Sequence, residues 1–302
     1  MPIRITVTGD LGSGKSTVCK ELHDKYHLHV FSTGIIQRKI AVEKGMSTFD
    51  LNKYMELHPE IDQQLDDELK KLSFSFDDIA IDSRMAWHFV DETYKVFLTT
   101  DETVAAQRVI ADQRGPSEAY ADVQDAKDQL KARKVSENYR YKLKYGVDCY
   151  DLRNFDLIVD TTLVPPDTVA AIIMEQYNDW ALEKKAPCFL ISPVCLYPTQ
   201  SIRDISIETI EHYYKTIMCR KFAMPVDIVS SDGMFYIYDG HHRACAYFKC
   251  NELLVPCSLI AQNSDAISGG LSVDRYVKGE FNLSKACDWE DFNGFQYFTY
   301  PR

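Results

Sequence analysis

Eight residues, Gly9-Asp10-Leu11-Gly12-Ser13-Gly14-Lys15-Ser16, follow the pattern G-x-x-x-x-G-K-[ST]. Small residues at these positions let backbone N–H groups wrap a polyphosphate without Cβ clashes. A helix opening at Lys15 adds its positive N-terminal end. The Lys15 ammonium has the reach and charge for β- and γ-phosphates, and the Ser16 hydroxyl is a hard oxygen donor for Mg²⁺. Moving a phosphoryl group then needs cations around donor and acceptor, because that reaction is mostly positioning and charge stabilisation. Arg38, Arg84, Arg108, Arg114, Arg133 and Arg140 fall near segment ends, where a parallel sheet places its cleft. Arg133 and Arg140 are seven apart on a helical stretch, hence on one face. A second cluster, Asp239-Gly240-His241-His242-Arg243, follows a strand and opens a helix-like run. Two histidines, an arginine and a helix N-terminus suit an anion. Adjacent helical histidines point about 100° apart and make poor partners for one metal ion.

The elements that must position these groups alternate. Strands are expected at 3–8, 29–32, 78–82, 94–98 and 155–159, from their β-branched and apolar runs. Helical spacing marks the run from Lys15, then 35–44, 48–57, 60–72, 104–110 with Asp101 as N-cap, 118–145, and a last helix opening at Pro165-Pro166. Alternation of this kind predicts an α/β domain with a parallel sheet covered on both faces. The composition changes near 178–187, and 181–187 reads as a linker between domains 1–180 and 188–302. The second domain reads as α+β, with a helix near 206–220 and strands at 226–229 and 235–238. Its tail from 281 is aromatic and is expected to pack onto a domain, because free aromatic surface is costly.

The 302 residues suggest about two domains at roughly 100–200 residues each. Thirty-four Lys+Arg against forty-five Asp+Glu leave a formal charge of −11, which gives no general attraction to nucleic acid or anionic lipid. DNA is therefore not an expected partner. Nine cysteines without CxxC or zinc-finger spacing read as reduced thiols, and no apolar run is long enough to span a membrane. With no signal-peptide pattern at the start, the expected location is cytoplasmic.

Phe31-Ser32-Thr33-Gly34, Arg38, Gly45-Met46-Ser47, Pro59-Glu60-Ile61-Asp62 and Ile81-Asp82-Ser83-Arg84 strongly resemble the short cytidylate kinases of archaeal type. Val96-Phe97-Leu98-Thr99, Ser136-Glu137, Arg140-Tyr141, Tyr145-Gly146-Val147-Asp148 and 155–161 do the same, in family order, so the resemblance spans about 1–175. It implies a P-loop nucleoside monophosphate kinase fold with a helical NMP-binding insert (34–72) and a lid (112–140). It implies transfer from ATP, with Mg²⁺, to CMP or dCMP. The implied ATP site is Gly9, Gly12, Ser13, Gly14, Lys15, Ser16 and Thr17. Ser32, Thr33, Arg38, Asp82 and Arg84 would serve the acceptor, and Ser16 and Asp82 the metal. Lys15, Arg84, Arg114, Arg133 and Arg140 would act on the transferring group, the last three closing from the lid. The family's Ser-Glu-Arg-x-Arg reads Ser136-Glu137-Asn138-Tyr139-Arg140 here, so a lid arginine is lost and slower turnover or an altered acceptor is expected.

Residues 191–260 resemble the ParB/sulfiredoxin superfamily through Leu196-Tyr197-Pro198-Thr199, Arg203, 224–229 and the turn Asp239 to Arg243. That resemblance implies nucleotide phosphates on His241, His242 and Arg243, with Asp239 near a metal. His241 stands where sulfiredoxins carry their cysteine, and Gln200 where free serine kinases carry a glutamate base. Three functional readings follow: a CMP or dCMP kinase with an appended nucleotide-binding domain, a nucleotide sensor with a weak kinase domain, or a bifunctional enzyme also phosphorylating a small hydroxyl compound such as serine. Oligomeric state is left open.

Overall fold

The computed structural model describes residues 2–73, 77–112, 120–183, 187–219 and 225–301. Two compact units divide the chain: Met1–Thr161 with Pro165–Pro187, and Thr162–Val164 with Cys188–Arg302.

The first unit runs β1 (Arg4–Gly9), α1 (Lys15–Tyr26), β2 (His29–Ser32), α2 (Thr33–Glu43), α3 (Thr48–Leu57), α4 (Pro59–Leu72), β3 (Ile79–Asp82) and α5 (Ala86–Phe89). It continues through β4 (Tyr94–Thr99), α6 (Glu102–Ala111), α7 (Val123–Tyr145), β5 (Leu157–Asp160) and α8 (Pro166–Leu182). Its strands lie in the order β2-β3-β1-β4-β5, every pair parallel. β1 is central, with Ile5 and Val7 fully buried, because β-branched residues fill both faces of a covered strand. The chain winds to one side of β1 through β2 and β3, then to the other through β4 and β5. The order reverses beside β1, and a crevice opens there at the carboxyl ends of the strands. This unit is the expected α/β fold. The four-residue α5 was not anticipated, since one helical turn carries no periodic signal. Residues 184–186 of the expected linker lie outside the described residues, while α8 continues to Leu182.

The second unit comprises β6 (Cys188–Ile191), β7 (Leu196–Tyr197), α9 (Ile207–Met218), β8 (Val226–Ser231), β9 (Met234–Asp239), α10 (His241–Lys249), β10 (Val255–Gln262), α11 (Val273–Glu280) and α12 (Leu283–Asn293). Its strands lie in the order β6-β10-β8-β9-β7, with mixed directions. Tyr197, Val229, Tyr236, Val273 and Tyr297 share its core, and Phe281 and Phe295 pack against them. Most of the aromatic tail is thus structural, although Phe292, Phe298 and Tyr300 stay exposed. All nine cysteines are free thiols. Among the described residues no helix is long and apolar enough to cross a membrane.

Candidate functional site

β1 delivers the phosphate loop into the crevice. At Gly9 φ is 147°, and a Cβ would stand 2.1 Å from the Leu98 carbonyl oxygen. At Gly12 φ is 80°, and a Cβ would stand 2.7 Å from the Ala105 carbonyl oxygen. Only glycine lets the loop press this closely on β4 and α6. Ser13 Oγ donates to the Asp10 carbonyl at 2.8 Å and tightens the turn. Gly14 caps α1 without a side-chain bond, and the first turn of α1 holds no acid. Its N–H groups therefore keep their capacity for an anion.

Lys15 Nζ donates to the carbonyl oxygens of Gly9 at 2.9 Å and Asp10 at 2.6 Å. Burial, with the Arg84 charge beside it, brings its pKa down to about 7. Asp82, at the end of β3, accepts from Ser16 Oγ at 3.0 Å and Ser32 Oγ at 3.1 Å. Thr33 Oγ1 donates to the Asp82 carbonyl at 3.5 Å. A serine hydroxyl and a carboxylate in contact at a phosphate loop are hard oxygen donors of the kind Mg²⁺ takes. Among the described residues no cluster of three or more His, Cys, Asp or Glu could hold a metal ion, and a Mg²⁺ held by Ser16 and Asp82 would complete its shell with water or phosphate oxygens. Asp82→Asn keeps the shape and removes the charge. It is expected to lower kcat/KM for ATP about 10²-fold and raise the Mg²⁺ requirement, measured by steady-state rates across a Mg²⁺ titration.

Lys15, Ser16, Thr17, Thr33, Arg38, Asp82, Arg84 and Arg133 all line one cleft of about 890 Å³, counted to its open mouth. Arg38 lies beside Gly34, its Nη1 3.5 Å from where a Cβ would stand there. Glu137 lies between Arg84 and Arg133: it accepts from Arg84 Nε at 3.0 Å and Arg133 Nε at 2.8 Å. Arg84 Nη1 also donates to the Gly9 carbonyl oxygen. Burial alone would raise the Glu137 carboxyl, but Arg133 and Arg84 hold it at about 2.

One expectation changes. Arg140 is buried outside the cleft, with Nη1 donating to the Asn52 carbonyl at 3.1 Å and Nε 3.1 Å from Asp62 Oδ2. It pins α3 and α4 to α7 instead of closing on a phosphoryl group. Seven residues carry a helix about 10 Å along its axis, so the shared face puts Arg133 in the cleft and Arg140 beside α3 and α4. Asn138 also turns away: its Oδ1 accepts from Cys149 N at 3.1 Å. Arg108 binds the Thr161 carbonyl at 2.6 Å, outside the cleft. Arg114 lies outside the described residues.

Sequence reasoning gave no role to Lys134 or Asp10. Lys134 Nζ donates to Asp10 Oδ1 at 2.8 Å, and Thr99 Oγ1 to Asp10 Oδ2 at 2.9 Å. Burial opposes the Asp10 charge, yet these partners hold its pKa below the usual carboxylate value. The i, i+4 spacing of Arg133 and Glu137 was the available signal for the α7 face.

In the second unit Gly240 caps α10, but the turn's side chains are already engaged. His241 Nε2 accepts from the backbone N–H of Gln200 at 3.2 Å and of Thr199 at 3.3 Å. Burial lowers its pKa to about 4, so it is a neutral acceptor. His242 Nε2 accepts from Ser206 N at 3.0 Å. Arg243 Nη2 donates to Asp239 Oδ2 at 3.1 Å. Each histidine thus spends Nε2 as an acceptor for backbone N–H groups, which leaves Nδ1–H as its donor toward an anion.

A family model described as an AAA domain matches residues 5–128. The cytidylate kinase of Methanocella arvoryzae is 33% identical over 175 residues, 58% of this chain and 97% of that protein. The cytidylate kinase of Haloarcula marismortui is 36% identical over 188 residues, 61% of this chain and 95% of that protein. Among solved structures, Arabidopsis thaliana sulfiredoxin is 14% identical, covering 32% of this chain and 98% of its own, with a TM-score of 0.26. That likeness is too slight to assign the second unit.

Proposed function

The chain belongs to the cytidylate kinase family and is an ATP-dependent phosphotransferase; from that premise we propose that it phosphorylates CMP or dCMP. The observation that carries this reading is the single cleft shared by Lys15 and Ser16 on the donor side and Arg38 and Arg84 on the acceptor side. The phosphate loop and α1 would hold the ATP phosphates, with Lys15 turning from the Gly9 and Asp10 carbonyls to the β- and γ-oxygens. Ser16 and Asp82 would hold Mg²⁺, which when bound neutralises developing charge on those oxygens. Arg38 and Arg84 would fix the acceptor 5′-phosphate in line with the γ-phosphorus. One of its oxygens forms the new P–O bond as the bond to the ADP oxygen breaks. Arg84 and Arg133 then face the charge spread over the transferring group.

For the second unit we propose a nucleotide-binding domain of the ParB/sulfiredoxin kind, held by the backbone turn at Gly240 more than by its histidines. Gln200 supplies no base, which favours binding over phosphorylation of a hydroxyl compound. The test is ADP release across CMP, dCMP, UMP, AMP and serine. Turnover should be highest with CMP or dCMP and absent with serine. Equal rates on UMP or AMP would overturn the proposed acceptor, and AMP formed from ADP plus serine would overturn the reading of the second unit.

A further inference from the structure

We propose that Glu137 is the positioning residue that holds Arg84 and Arg133 as one clamp on the transferring phosphoryl group, an inference that rests on the kinase reading above. Glu137 is 2% exposed, and its oxygens are divided: Oε1 takes Arg133 Nε at 2.8 Å and Oε2 takes Arg84 Nε at 3.0 Å. The two arginines come from different elements, one just past β3 and the other from α7. Each spends its Nε on Glu137, which fixes the plane of a guanidinium and aims its remaining donors. Those of Arg84 reach the phosphate loop at Gly9. Without a carboxylate between them, two like charges in this space repel and regain their rotamers.

A buried ion cluster is weak evidence of a purely stabilising role. Taking a carboxylate and two guanidiniums out of water is costly, and an apolar packing of similar volume is often as stable. Both arginines line the cleft, whereas the nearby Arg140, paired with Asp62, does not. The carboxylate is therefore committed to the two arginines that face the reaction. Its role in the reaction is to orient them.

Glu137→Gln is nearly isosteric and drops the charge. It is expected to lower kcat about 10- to 100-fold, with KM for ATP and CMP changed less than about threefold, as a small misplacement of reacting groups does. Arg133→Met and the double variant complete a cycle. If Glu137 acts through Arg133 and Arg84, the loss in the double variant falls well short of the product of the single losses. Arginine Nε–H spectra give a readout independent of turnover: the Arg84 and Arg133 signals are hydrogen-bonded in the unaltered protein, and both shift in Glu137→Gln. A variant with unchanged kcat but a lowered melting temperature, multiplying losses, or unchanged Nε–H signals would each overturn the clamp. Should the unaltered protein phosphorylate no nucleoside monophosphate, the kinase reading fails, and the Nε–H signals still decide the clamp. Glu137→Asp, one methylene shorter and able to reach one arginine, carries the same expectation if the glutamine variant does not fold.

Discussion

Lys15→Met is expected to lower kcat/KM for ATP about 10³-fold, the upper range for removing one electrostatic donor from a preorganised site. Among the described residues the ammonium bonds only to loop carbonyls, and its pKa sits near 7 because burial and Arg84 disfavour the charge. Arriving phosphates reverse that balance, since an anion in contact favours the protonated form. The sign follows: at pH 8 most of the free protein holds Lys15 neutral, and nucleotide binding must take up a proton. Calorimetry in buffers of different ionisation enthalpy should show that uptake, and Lys15→Met should abolish it. Proton release, or the same uptake in both proteins, would contradict the assignment.

Trp289→Ala is expected to destabilise the second unit by about 3–5 kcal/mol, the cost of deleting a large buried aromatic. Trp289 is 0% exposed, with its ring 5.8 Å from His241 and 6.1 Å from Phe248. Among the described residues its Nε1 meets no hydrogen-bond partner, so the loss expected is one of packing. Hydrogen exchange across β8, β9 and α10 should rise steeply, while CMP phosphorylation at 25 °C should persist. Exchange unchanged in α10 would show that the tail does not support the Asp239–Arg243 turn.

Much of the first unit was legible. The loop pattern, the alternation of strands and helices, the cap at Asp101 and the prolines that open α8 are local signals, and local backbone chemistry fixes such elements. The second unit was read less completely. β10, α11 and α12 went unseen: α11 has a helical period but runs only eight residues, too short to stand out, and the apolar residues of β10 and α12 are spaced to meet β6, β8 and α10 and not by a clean period. Arg140 shows the same limit on one helix. Its face could be read from a repeat of 3.6, but its distance along α7 from the phosphates had no meaning until α3 and α4 were packed beside it.

The sequence by itself determined where polyphosphate can be held, since glycines, a lysine and a serine at fixed spacing act through the backbone that carries them. Only the tertiary structure decided which cations serve that site. Arg84, Arg133 and Glu137 meet across more than fifty residues of chain, and Arg140 and Asn138 are drawn away by Asp62 and Cys149. A charge has no role until its neighbours set its solvation and its direction. Those neighbours come from the far side of the fold.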